Sequence, residues 1–112
     1  MAKKTVVSGN KAGNEAGIIA RKYAEHLQNE IRIVGIYLFG SHVSGDNKID
    51  SDIDIAVVSD SFTGDPVDDQ SMLLLLKSNV DNRIEPHPFL PCDFTEDNPF
   101  VKKIMETSIR IV

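Results

Sequence analysis

The stretch Leu38-Phe-Gly-Ser-His-Val-Ser-Gly-Asp-Asn-Lys-Ile-Asp-Ser-Asp-Ile-Asp-Ile-Ala-Val-Val58 decides the reading of this 112-residue chain. Before it, Ile33 to Phe39 is rich in β-branched and aromatic residues and stops at Gly40-Ser41, which predicts a buried strand ending at a turn. Gly45-Asp46-Asn47 is a turn signal. Asp52 to Val58 then reads as a second strand, whose first half alternates strictly: Asp52 and Asp54 fall on one face, Ile53 and Ile55 on the other.

The charge pattern singles out the same region. Eight aspartates and one base, Lys48, lie between Asp46 and Asp69, whereas the remaining segments hold nine acids and eleven bases. So negative a stretch must be solvated, dispersed or neutralised by a cation. A solvated acidic loop suits Asp60 to Asp69, where Gly64 and Pro66 interrupt the chain. It suits Asp52 and Asp54 poorly, because these two sit in an apolar strand pattern. Their Cα atoms are about 6.6 Å apart on an extended chain, close enough for the carboxylates to converge on one divalent ion or to bracket a pair of ions. All-oxygen ligation favours Mg²⁺ or Mn²⁺ over zinc or copper. At the end of the first strand, Gly40 lets backbone approach a ligand, and Ser41 adds a hydroxyl and an amide suited to phosphate.

Working outward, Asn14 to Glu30 carries apolar residues at helical spacing (Ala16, Ile19, Ala20, Tyr23, Ala24, Leu27), with Asn14 as a plausible N-cap, and predicts an amphipathic helix on a sheet. Residues 1–12 are polar and aperiodic and read as a flexible N-terminus, leaving residues 13–112 as one domain. Asp65-Pro66-Val67-Asp68 is a helix start. The apolar run Met72 to Leu76 then predicts a mostly buried helix, with its leucines in the core or at a partner interface. Pro86, Pro88 and Pro91 make Arg83 to Leu90 an extended edge or terminal strand, and Glu85 lies within it as a third acid. Asn98-Pro99 opens a last short helix through Met105, and Ile109 to Val112 alternates like a final strand. The sum is an α+β fold, a small mixed β-sheet of four to five strands with helices mainly on one face.

Composition excludes several classes. Hydrophobic residues are 41% and charged residues 26%, as in globular proteins, and the net charge of −5 argues against direct nucleic-acid binding. No apolar run is long enough to span a bilayer and no secretory h-region is evident, so no membrane association is expected. The single Cys92, read as a half-buried small hydrophobe, fits a reducing cytoplasmic setting. His26 and His87 read as surface residues.

Gly40-Ser41, a ten-residue spacer and Asp52-Ile53-Asp54 together resemble the signature of the nucleotidyltransferase superfamily of DNA polymerase β, and in particular its minimal, single-domain group. The four fixed letters arise by chance in on the order of one chain in a thousand. The resemblance implies that Gly40 and Ser41 hold the β- and γ-phosphates of ATP, that Asp52 and Asp54 ligate two Mg²⁺, and that Glu85 completes the metal site. Glu85 would also serve as general base while a hydroxyl attacks the α-phosphorus. Two departures stand out: Glu85 replaces the frequent Asp and precedes Pro86, and His42 stands where a basic Arg is common. The alternative for Glu85 is a surface ion pair with Arg83 or Lys77.

Little chain follows Glu85 to grip an acceptor. The acceptor is therefore expected on a partner chain or a dimer mate in a homo-oligomer. Minimal relatives accompany HEPN-domain proteins as toxin–antitoxin pairs, which makes a HEPN-type partner carrying a Tyr, Ser or Thr hydroxyl the leading expectation. The competing expectation is a catalytically inactive transferase-like module that neutralises or scaffolds its partner by contact.

Overall fold

In a computed structural model, residues 11–44, 52–77 and 79–112 are described. The expected turn at Gly45-Asp46-Asn47 and the residues 1–10 lie outside them. The elements in order are helix α1 (Lys11–Gln28), strand β1 (Gly35–Phe39), a one-turn helix α2 (Ser41–Ser44), β2 (Ile53–Val58), α3 (Pro66–Lys77), β3 (Ile84–Phe89), a 3₁₀ turn (Pro91–Asp93), α4 (Pro99–Thr107) and β4 (Ile109–Arg110). The strands form one sheet in the order β3-β2-β1-β4. β1 is antiparallel to β2 and β4, whereas β2 and β3 run parallel. A mixed four-stranded sheet with helices is the expected α+β architecture.

The alternation read in β2 sorts the sheet's two faces. Ile36, Leu38, Ile53, Ile55, Val57 and Ile84 are buried with Ala16, Ala20, Tyr23, Ala24 and Leu27 of α1 and Leu73 of α3 in the main core. Tyr23 donates its hydroxyl to the Leu73 carbonyl (2.8 Å) and ties α1 to α3, and burial pushes its phenol above the usual range. On the opposite face, Phe39, Ala56 and Ile104 form a second cluster with Tyr37, Phe89 and Phe94 packed against it. α4 thus covers only part of that face.

The prolines of β3 have a positional logic. The carbonyls of Arg83 and Phe89 accept from Ile53 N–H (2.8 Å) and Ser59 N–H (3.1 Å), so the odd-numbered positions turn their backbone polar groups to β2. Pro86 and Pro88 therefore place their missing N–H on the open edge, where none is required. The outward carbonyls of Ile84 and Pro86 are taken up by α3, through Lys77 Nζ (2.8 Å) and Gln70 Nε2 (3.0 Å). The edge is thereby shielded from pairing with another chain.

Two helix caps follow the sequence expectation. Asp65 Oδ1 accepts from Val67 N–H (2.9 Å) and Asp68 N–H (3.2 Å), and Asn98 Oδ1 accepts from Phe100 N–H (2.9 Å), each ahead of a proline that opens its helix. Four expectations are corrected. Helix α1 begins at Lys11, so Asn14 lies inside it rather than capping it. Lys and Ala favour helix strongly enough to carry the extra turn past Gly13. Helix α3 is not mostly buried: Leu73 is fully buried, but Leu75 is 76% exposed, because four successive leucines wind around the axis. Cys92 is exposed in the 3₁₀ turn. Asp69 is no solvated loop residue. It is buried and accepts from Thr63 N–H (2.9 Å), Thr63 Oγ1 (3.0 Å) and Gly64 N–H (3.0 Å).

Asp69 therefore holds the β2–α3 loop shut. Asp69→Ala should cost about 2–3 kcal/mol, since three donors lose a carboxylate acceptor. Urea denaturation checks this, and an unchanged midpoint would make the three hydrogen bonds irrelevant to stability. At the next loop, Arg83 beside Asp81 holds that carboxyl below the usual carboxylate range. This contribution is complete at neutral pH and fades as acid protonates Asp81.

Candidate active site

Gly40 ends β1 with φ +86°, in the left-handed region that favours glycine, and its carbonyl accepts from Val43 N–H (3.0 Å) in the single turn of α2. A side chain at this position is strained. A Cβ at Gly40 would press on the Asp54 carboxylate, with Cγ at 3.2 Å and Oδ2 nearer still. The backbone at Gly40 and the Asp54 carboxylate are thus in direct apposition. β1–β2 pairing accounts for it, because Phe39 stands opposite Asp54.

The parallel pairing of β2 with β3 places Glu85 directly beside Asp54. Partners across a sheet lie on one face about 4.8 Å apart, so two of the three expected acids are neighbours on the face that α4 leaves partly open. Both are intermediate in exposure. The bases offered as ion-pair partners for Glu85 are engaged elsewhere: Arg83 with Asp81 (3.1 Å) and Glu15 (3.6 Å), and Lys77 with the carbonyls of Asn82 (3.0 Å) and Ile84 (2.8 Å).

Asp52 stands apart. It is exposed and precedes β2, which begins at Ile53 rather than at Asp52 as the alternation suggested. Among the described residues, no three His, Cys, Asp or Glu side chains are gathered closely enough to hold a metal ion. The donor chemistry of the Asp54–Glu85 pair nonetheless fits a hard divalent ion, since it offers oxygen only and no nearby thiolate.

Of the two histidines here, His87 departs from expectation. His42, which follows Ser41, is buried at 4% exposure. His87 is not a surface residue: its side chain is 26% exposed, and Nε2 lies 3.2 Å from Asp54 Oδ1. With the Asp54 carboxylate ionised and accepting, the contact is a hydrogen bond in the tautomer that carries its proton on Nε2. The ring packs against Phe39 (centroids 5.1 Å apart) and Phe100 (6.0 Å). The signal was present in the two-residue step from Glu85 to His87, which puts both on one face of an extended segment. No helix among the described residues is long and apolar enough to cross a membrane.

The comparisons with known proteins agree with this frame. The family described as polymerase beta, nucleotidyltransferase, matches residues 21–112. A solved structure from Sulfolobus solfataricus, provisionally described as a nucleotidyltransferase, superimposes with a TM-score of 0.62 at 18% identity, over 94% of this chain and 90% of that one. At that identity the likeness speaks for the fold. Among curated proteins, none matches the chain.

Proposed function

The chain belongs to the polymerase beta nucleotidyltransferase family, and from that premise we propose that it moves AMP from ATP onto a hydroxyl of a partner protein, with Mg²⁺ as cofactor. The observation that carries this reading is the pairing of Asp54 with Glu85 across β2 and β3, with the side-chain-free backbone of Gly40 against Asp54. A triphosphate needs close approach to backbone at one end and cation-holding carboxylates at the other, and these elements sit side by side.

Gly40 and Ser41 would seat the β- and γ-phosphates. Asp54 and Glu85, joined by Asp52, would hold the cation, which when bound neutralises phosphate charge and stabilises the leaving oxygen. The acceptor hydroxyl oxygen attacks the α-phosphorus, and the bond from that phosphorus to the bridging oxygen breaks. Pyrophosphate leaves, and the hydroxyl proton passes to Glu85. Positioning and charge neutralisation supply most of the rate for such in-line transfer. The acceptor we favour is a Tyr, Ser or Thr hydroxyl on a HEPN-type partner, because the chain's net charge of −5 gives a nucleic-acid acceptor little attraction.

Incubation with α-labelled ATP, Mg²⁺ and the product of the adjacent gene tests this reading. Label should pass to the partner and be lost when EDTA replaces Mg²⁺. Tight partner binding without transfer would instead assign the chain to the inactive binding-module class, a reading favoured by the dispersed position of Asp52.

A further inference from the structure

We infer that His87 is a positioning residue for the site: its Nε2–H holds Asp54 Oδ1 and turns the other carboxylate oxygen toward Gly40. This rests on the reading of Asp54 as a cation ligand. The geometry has three parts. Nε2 lies 3.2 Å from Oδ1, which fixes one carboxylate oxygen, while Oδ2 is the atom nearest to the position a Gly40 side chain would occupy. The imidazole is braced by Phe39 and Phe100, at centroid distances of 5.1 and 6.0 Å. Across the β2–β3 ladder, His87 stands opposite Ala56, a small residue next along that face from Asp54.

A carboxylate with one oxygen hydrogen-bonded presents the other in a fixed direction, and outer partners of this kind are typically worth ten- to a hundredfold in metal affinity or activity. The arrangement also explains why a histidine lies between two prolines: Pro86 and Pro88 fix the strand on either side, and odd-numbered positions share the face of Glu85.

The test is Mn²⁺ titration of the full chain, followed by electron paramagnetic resonance with a non-hydrolysable ATP analogue present. His87→Ala should weaken Mn²⁺ binding about ten- to a hundredfold. His87→Gln, whose amide can donate to Asp54, should recover most of the loss. In the metal-free protein, ¹⁵N NMR should show the His87 ring protonated at Nε2, with that signal shifting in Asp54→Ala. Wild-type Mn²⁺ affinity in both His87 variants, alongside a weakened Asp54→Asn, would overturn the positioning role while leaving the site intact. Wild-type affinity in Asp54→Asn and Glu85→Gln as well would remove the site itself, and the role of His87 with it.

Discussion

Asp54→Asn is expected to reduce label transfer by on the order of a thousandfold or more while leaving the thermal midpoint in EDTA within a degree or two of wild type. The two halves of this expectation come from different contacts. Asparagine keeps an oxygen that can accept from His87 Nε2, so the link to the aromatic cluster survives. It also removes a negative charge beside Glu85, its neighbour in the β2–β3 register, which offsets the weaker hydrogen bond from His87 to a neutral oxygen. What it cannot do is neutralise a cation. A large fall in the EDTA midpoint would make the carboxylate a structural element of β2. Retained transfer would remove Asp54 from the chemistry.

Gly40→Ala is expected to lower kcat/KM about a hundredfold, the scale of an ångström-sized misplacement at a reacting centre. It should also destabilise the fold by about 1–3 kcal/mol. The backbone at Gly40 has φ +86°, which strains any side chain, and the added methyl meets the Asp54 carboxylate. Gly64 separates the two effects. Its φ of +93° imposes the same strain, but a Cβ there meets only Leu90 Cδ1 at 3.5 Å, an ordinary contact. Gly64→Ala should therefore lose similar stability and keep transfer per folded molecule. Equal losses of transfer in both variants would show that strain, not contact with Asp54, governs the site.

Much of the scaffold was legible because local signals agreed with one another. Alternation in Asp52 to Ile55 assigned the faces of β2, and Asp65-Pro66 and Asn98-Pro99 marked two helix starts that the caps bear out. The prolines of β3 marked an edge strand. The failures share a different origin. Four consecutive leucines carry no period, so the exposure of Leu75 could not be read from them. Helix α1 gained a turn because propensity overrode the capping signal at Asn14. The two-residue step from Glu85 gives the face of His87, but its partner is 33 positions away, and the strand register that brings them together is a tertiary property.

The claim on which the account depends is that Asp54 and Glu85 share one divalent cation. Anomalous scattering from crystals grown with Mn²⁺ and a non-hydrolysable ATP analogue measures this directly. The account predicts a manganese peak within coordination distance, roughly 2.0–2.3 Å, of oxygens from both side chains. Manganese held elsewhere, or a triphosphate bound with Glu85 turned away from it, would contradict it.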